Sequence, residues 1–303
     1  MSHVLSHTWA LTVSRMRLAM RNRAFLFFSL IMPIAFLFIY AGIFGRGKSQ
    51  AVPYLLAEVL ALTVMGSFWG LSVQLVTFRE QGILRRFRVT PVGASAMLAS
   101  SLVSNYFLTL PTIAVEFFLS RSVFHMAGLG NILSIFVLVT IGTVTFASLG
   151  LIVASVTNTM QETQVLNQII WLPLIFLSGA TFPLAYLPAS VQHFGLFLPA
   201  TYLVTALQSA LYQSFPVWKL LIQILALASW AVLTFFVGVQ LFRWEPEAKI
   251  PRNAKLWALA TALPFFLLGI WEYGRGDILK QAQAAYRSLD RPANSDQPSK
   301  GNQ

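Results

Sequence analysis

Eight residues, Gly42-Ile43-Phe44-Gly45-Arg46-Gly47-Lys48-Ser49, satisfy the spacing G-x-x-x-x-G-K-[ST] that cradles nucleotide phosphates. Phosphate binding needs that loop to follow a buried strand and to open a helix whose N-terminus faces the anion. Here the loop follows a long apolar run and leads into Gln50-Ala51-Val52-Pro53, so it reads as a Gly-rich turn. Of the four histidines, His3 and His7 lie one helical turn apart, while His125 and His193 stand alone. Neither arrangement supplies the three or four ligands a zinc site needs. No Ser/His/Asp set and no carboxylate pair stands at a spacing suited to hydrolysis. No enzyme, cofactor or metal is therefore assigned to this chain. It has no cysteine, which excludes disulfides and thiolate sites.

The concentrated chemistry is cationic. Phe78-Arg79-Glu80-Gln81-Gly82-Ile83-Leu84-Arg85-Arg86-Phe87-Arg88-Val89-Thr90-Pro91 packs four arginines into ten residues between two long apolar runs. As a short helix it groups Ile83, Leu84 and Phe87 as an apolar knob within a rim of Arg79, Arg85, Arg86 and Arg88. That shape suits a groove on a cytoplasmic protein. A positive-inside loop with incidental apolar residues is the competing reading, and the residues alone leave both open.

The carboxylates matter by position. Glu58 lies four residues into the second apolar run, Glu116 three residues from the far end of the third, and Glu272 at the end of the seventh. All three are expected to reach the membrane interface. Glu116 reads as a rim residue, with an outer cavity or a pair with Arg121 as alternatives. No run carries an ionisable group near its middle, which argues against an ion-coupled carrier.

The elements that position these residues follow from composition. The chain has 303 residues, 56% hydrophobic and only 10% charged, with a net charge of +11. A soluble domain carries about 25% charged residues, so this is a membrane chain. Its basic residues are scattered between apolar runs instead of forming one surface, which excludes nucleic acid as the partner. Runs long enough to cross a hydrocarbon core of about 30 Å lie at 24–44, 54–78, 94–119, 131–156, 164–187 and 217–242. A seventh, shorter run at 256–273 carries Pro264. All must be helical, because lipid offers no partner to a backbone amide. The fold class is therefore an all-α polytopic membrane protein.

With the N-terminus cytoplasmic, twelve Lys/Arg fall inside and four outside; a full seventh span puts five more outside, for twelve against nine. A full span is the reading taken, with a re-entrant or interfacial run as the alternative. Leu5, Trp9, Val13, Met16 and Met20 recur at spacings of three and four. They describe either an amphipathic helix lying in the interface or a plain basic anchor. In 178–214, prolines and glycines break the chain into pieces too short to span, which suggests short helices dipping into the outer leaflet. The Pro/Ser/Asn-rich 292–303 reads as a disordered tail.

Three patches together resemble the permease subunits of type-2 ABC exporters. They are Glu80-Gln81-Gly82-Ile83-Leu84-Arg85-Arg86-Phe87-Arg88-Val89-Thr90-Pro91-Val92, then Leu177-Ser178-Gly179-Ala180-Thr181-Phe182-Pro183-Leu184 with Leu187-Pro188, then Leu198-Pro199-Ala200-Thr201-Tyr202-Leu203. The resemblance covers about 1–245. It implies an interface helix at 1–23 and a six-span permease domain at 24–245; outside that pattern stand a C-terminal extension at 246–291, with the seventh run and an amphipathic helix around 277–288, and the tail at 292–303.

It further implies that Arg79, Glu80, Gly82, Ile83, Leu84, Arg85, Arg86, Phe87 and Arg88 form a coupling helix docking on a separate ATPase, which holds ATP and magnesium. Asn158 and Glu162 become a second contact with that partner. Ser178, Gly179, Phe182, Pro183, Pro188, Pro199 and Tyr202 become an outer re-entrant gate. The assembly implied is a homodimer of this chain with two ATPases in the plasma (inner) membrane, exporting a lipid-like or amphipathic molecule. A non-transporting scaffold that recruits a cytoplasmic partner is the alternative. Gln208 stands where many members carry arginine.

Overall fold

The computed structural model describes residues 23–43, 51–88, 93–126, 128–243, 260–261 and 263–290, and single positions among 9–21 and at 256. The helices are α1 (Arg23–Ile43), α2 (Val52–Met65), α3 (Ser67–Glu80), α4 (Ile83–Arg88), α5 (Ala94–Ser122), α6 (Ile132–Val156), α7 (Met160–Leu177), α8 (Ala189–Gly195), α9 (Pro199–Leu211), α10 (Leu221–Leu241), α11 (Leu263–Arg275) and α12 (Asp277–Asp290). Among the described residues there is no strand.

Among the described residues four helices are long and apolar enough to cross a membrane: Val52–Glu80, which joins α2 and α3 through Gly66, then α5, α6 and Val217–Leu241. The pair α8 and α9 makes a fifth only if counted as one span, and its two helices meet at 96°. The apolar helix within α1 is Leu30–Ile43. The expected fifth run, 164–187, stops early: α7 ends at Leu177. Its apolar composition continues, but Gly179 sits at φ 89°, a conformation that turns the chain out of the helix. The seventh run appears as α11, of 13 residues, about 20 Å long.

Helix α6 is the hub, packing against α2, α3, α5, α9 and α10. Close approach is bought with small residues: a Cβ on Gly150 would land on the carbonyl of Phe68 in α3. Polar side chains tie helices across the bundle. Thr145 donates to the Leu227 carbonyl at 2.9 Å, and the Asn167 amide donates to Ser72 at 2.8 Å. The described positions among 9–21 are helical. Trp9 meets Phe107 of α5 edge-on at 6.4 Å, and the Thr12 carbonyl accepts from Ser104 at 3.5 Å.

The interface expectation for the carboxylates is corrected. Glu58, Glu116 and Glu272 are all buried, at 0%, 0% and 1% exposure. Helix α2 is covered by protein almost all round, so Glu58 faces the interior, with neither oxygen hydrogen-bonded. Glu116 accepts from Thr63 at 2.5 Å, and Glu272 accepts from the Ile278 amide at 2.6 Å.

Candidate functional site

The C-terminus of α6 and the N-terminus of α7 meet at one corner of the bundle. A helix end leaves its last carbonyls, and the next helix its first amides, without intrahelical partners. The neighbours Arg79 and Glu80, at the end of α3, serve one end each. Arg79 is buried at 1% exposure. Its Nη1 donates to the carbonyls of Ala154 at 2.7 Å and Thr157 at 3.0 Å, and its Nε to the Arg243 carbonyl at 3.2 Å. Glu80 Oε1 accepts from the Met160 amide at 2.8 Å. Cation on a helix C-terminus and carboxylate on a helix N-terminus is the order the helix dipoles favour.

Arg243, just past α10, completes the corner. Its Nε donates to the Ser155 carbonyl at 3.1 Å, its Nη2 to the Thr157 carbonyl at 3.1 Å, and its Nη1 to Asn158 Oδ1 at 2.9 Å. Burial lowers the Arg243 guanidinium from its ordinary value, and the Glu162 carboxylate opposes that shift. Glu162 also accepts from the amides of Asn158 at 2.7 Å and Thr159 at 3.4 Å, while its own amide donates to Thr159 Oγ1 at 3.2 Å. This is a reciprocal cap on α7.

The structure therefore joins Arg79 and Glu80 directly to the loop holding Asn158 and Glu162. It also separates residues that the sequence grouped together. Arg79 belongs to the interior, not to a rim. Leu84 is fully buried, while Ile83 is half-buried and Arg85 exposed. Gly82, at φ 67°, makes the turn that lets α4 leave α3. Arg86, Phe87 and Arg88 continue α4, and their side chains lie outside the described residues, as do Val89 to Val92 and Gly45 to Ser49.

The second group lies at the opposite end of α6, whose 25 residues span about 37 Å. There the Asn131 amide donates to the Ala210 carbonyl of α9 at 2.9 Å. Ser178 is buried, and its Oγ accepts from the Ala180 amide at 3.3 Å. Tyr40 donates to the Ala180 carbonyl at 3.2 Å. Gly179 and Pro183 are buried, Phe182 is exposed and stacks on Phe176 at 6.3 Å, and Pro188 is exposed before α8. Pro199 opens α9, and Tyr202 is buried within it. Thr201 fastens the bend between α8 and α9 by donating to the Gly195 carbonyl at 2.6 Å.

Sequence reasoning missed Arg243 and the cap that Thr159 makes on α7. The one signal available for Arg243 was a lone cation directly after an apolar run.

Comparison with known proteins identifies the family. A family model described as ABC-2 type transporter matches residues 6–212. Putative transport permease YvfS of Bacillus subtilis (strain 168) is 21% identical over 228 residues, 71% of this chain and 89% of the relative. Probable multidrug ABC transporter permease YbhS of Escherichia coli (strain K12) is 27% identical over 187 residues, 60% of this chain and 48% of the relative. Polysialic acid transport protein KpsM of Escherichia coli is 26% identical over 232 residues, 73% of this chain and 86% of the relative. With most of its length matched and a bundle of membrane-length helices behind it, the chain belongs to the ABC-2 type transporter family and is an integral multi-pass membrane subunit of an ABC transport system.

Proposed function

We propose that this chain is the permease of an ATP-driven exporter, with its N-terminus cytoplasmic and no ATPase activity of its own. Its partner is a separate ABC ATPase carrying ATP and magnesium, docked on α4 and on the α6–α7 loop. The observation that carries this reading is the corner itself. Hydrogen bonds donated by Arg79 and Arg243 and one accepted by Glu80 tie the root of α4 to the ends of α6 and α7. A push on α4 or on Asn158 and Glu162 thus reaches two long helices at once, and through α6 the re-entrant pair that we assign as the outer gate.

Two permeases form the path in this reading. Helix α7 supports it: Val165 and Ile169 are each 61% exposed and Leu172 43%, with Gln164 and Gln168 exposed beside them. Amides facing hydrocarbon lack partners, so this face suits a second copy and a wet, amphipathic path. The cargo proposed is lipid-like or amphipathic. A glycan is the second reading, favoured by the likeness to a polysialic acid transport protein over most of both chains.

The test is a pull-down of the tagged chain co-expressed with the ATPase encoded nearest to it. Ile83→Asp with Phe87→Asp is expected to abolish co-purification while leaving membrane insertion unchanged. Full retention of the ATPase by that variant would sink the docking assignment. No ATPase with the unaltered, folded chain would favour the scaffold.

A further inference from the structure

The C-terminal residues lie outside the matched family region, yet they are fastened to the bundle in an ordered way. Arg243 stands in the polar corner at one end of α10. Midway along α10, Trp230 Nε1 donates to the Thr261 carbonyl at 2.5 Å. Near the other end, the Gln223 amide donates to Gln281 Oε1 at 3.2 Å. Thr261 and Gln281 therefore stand level with positions 230 and 223, so between them the chain climbs from the middle toward the first turn of α10. Those 21 helical residues cover about 30 Å, the thickness of a hydrocarbon core.

At the far end the returning chain meets the re-entrant elements. Phe266 packs on Phe197 with ring centroids 5.6 Å apart, and Tyr273 on His193 at 4.8 Å. A Cβ on Gly269 would collide with the Phe197 ring, so α11 lies as close as a side chain permits. Helix α12 then turns over α9 and the short helical turn Leu184–Tyr186, burying Ile278 at 2% and Ala282 at 4% exposure. The outward face of α11 stays apolar, with Leu263, Leu267 and Ile270 all above half exposed, as lipid contact requires.

We infer that 263–290 is a strap. The chain recrosses the membrane beside α10 and seats α12 on the outer flank of the re-entrant pair, on the side opposite α4. That pair cannot swing apart from α10 while α12 is seated. Only the gating part of this inference rests on the exporter reading; the crossing rests on the two contacts along α10 and on the place of Arg243 at its far end. The strap takes the less favoured charge arrangement of twelve against nine.

The absence of cysteine makes the test clean. In sealed cells, Lys280→Cys, at a side chain 74% exposed, is expected to react with a membrane-impermeant maleimide, while Arg85→Cys reacts only after permeabilisation. Labelling of both from the same side overturns the strap, and this arm needs no ATPase. In the second arm Gln223→Cys and Gln281→Cys are bridged with a short reducible bis-methanethiosulfonate, because cysteines are shorter than the glutamines whose ends touch. The bridged, reconstituted complex is expected to lose most of its ATP turnover and to recover it on reduction. Undiminished turnover with the bridge intact overturns the gating role.

Discussion

At the scale of single residues, the corner is held by guanidinium forks. Arg243 reaches two carbonyls and one amide oxygen, a geometry that a lysine's point charge cannot reproduce. Arg243→Lys is expected to cost about 1–3 kcal/mol of stability, read as a lower midpoint of thermal unfolding in detergent. Arg79→Lys should behave likewise, because Arg79 binds the same helix end. An unchanged midpoint in both would show that water or lipid serves those carbonyls equally well. Nothing near residue 79 in the sequence announces this role, since its partners begin 75 residues later and end at residue 243. Glu58 was misplaced for a related reason. Reading an apolar run as lipid-facing leaves a carboxylate no place but the rim, whereas α2 is enclosed by protein and offers an interior.

At the scale of elements, the start of α6 was legible because a residue punctuates the chain there. Asn131 accepts from the Ser134 amide and starts α6 where its apolar run begins. Helix α7 was not read so: Thr159 and Glu162 start it and Ser178 ends it, where the apolar run predicts 164–187. The early end of α7 was not legible from hydrophobicity, because Phe182 to Leu187 remain apolar after the helix has turned out. Spacing between helices was equally hidden. Gly150 looks like any glycine in an apolar run, yet it sets how closely α3 approaches α6. Gly150→Val is expected to force those helices apart at a cost of about 1–3 kcal/mol. Thermal aggregation in detergent measures this, and a valine tolerated without loss would mean that α3 shifts freely over α6.

At the scale of the whole molecule, the exposed face of α7 separates a lone subunit from a pair. Ile169→Cys, placed in a chain without other thiols, is expected to give a reducible dimer on mild oxidation in membranes. A comparable dimer from a cysteine on the outward face of α11, such as Leu267→Cys, would show that collision and not a defined interface makes the bond. Cargo is decided at this scale too. Stimulation of ATP turnover by amphipathic cations but not by a lipid-linked oligosaccharide is the outcome expected here, and the reverse would move the chain toward the glycan transporters.

The central place of α6 has a consequence for how the protein is made. Helices leave the ribosome in order, and 131 residues precede the first turn of α6. Until that helix is inserted, α2, α3 and α5 lack the surface they will share. Their small and polar positions then face lipid or the insertion machinery. Chains interrupted before residue 156 should be cleared quickly by membrane proteases, while chains ending after α10 persist. The subunit is thus most vulnerable midway through its own synthesis, and its yield depends on how long that half-built bundle is sheltered.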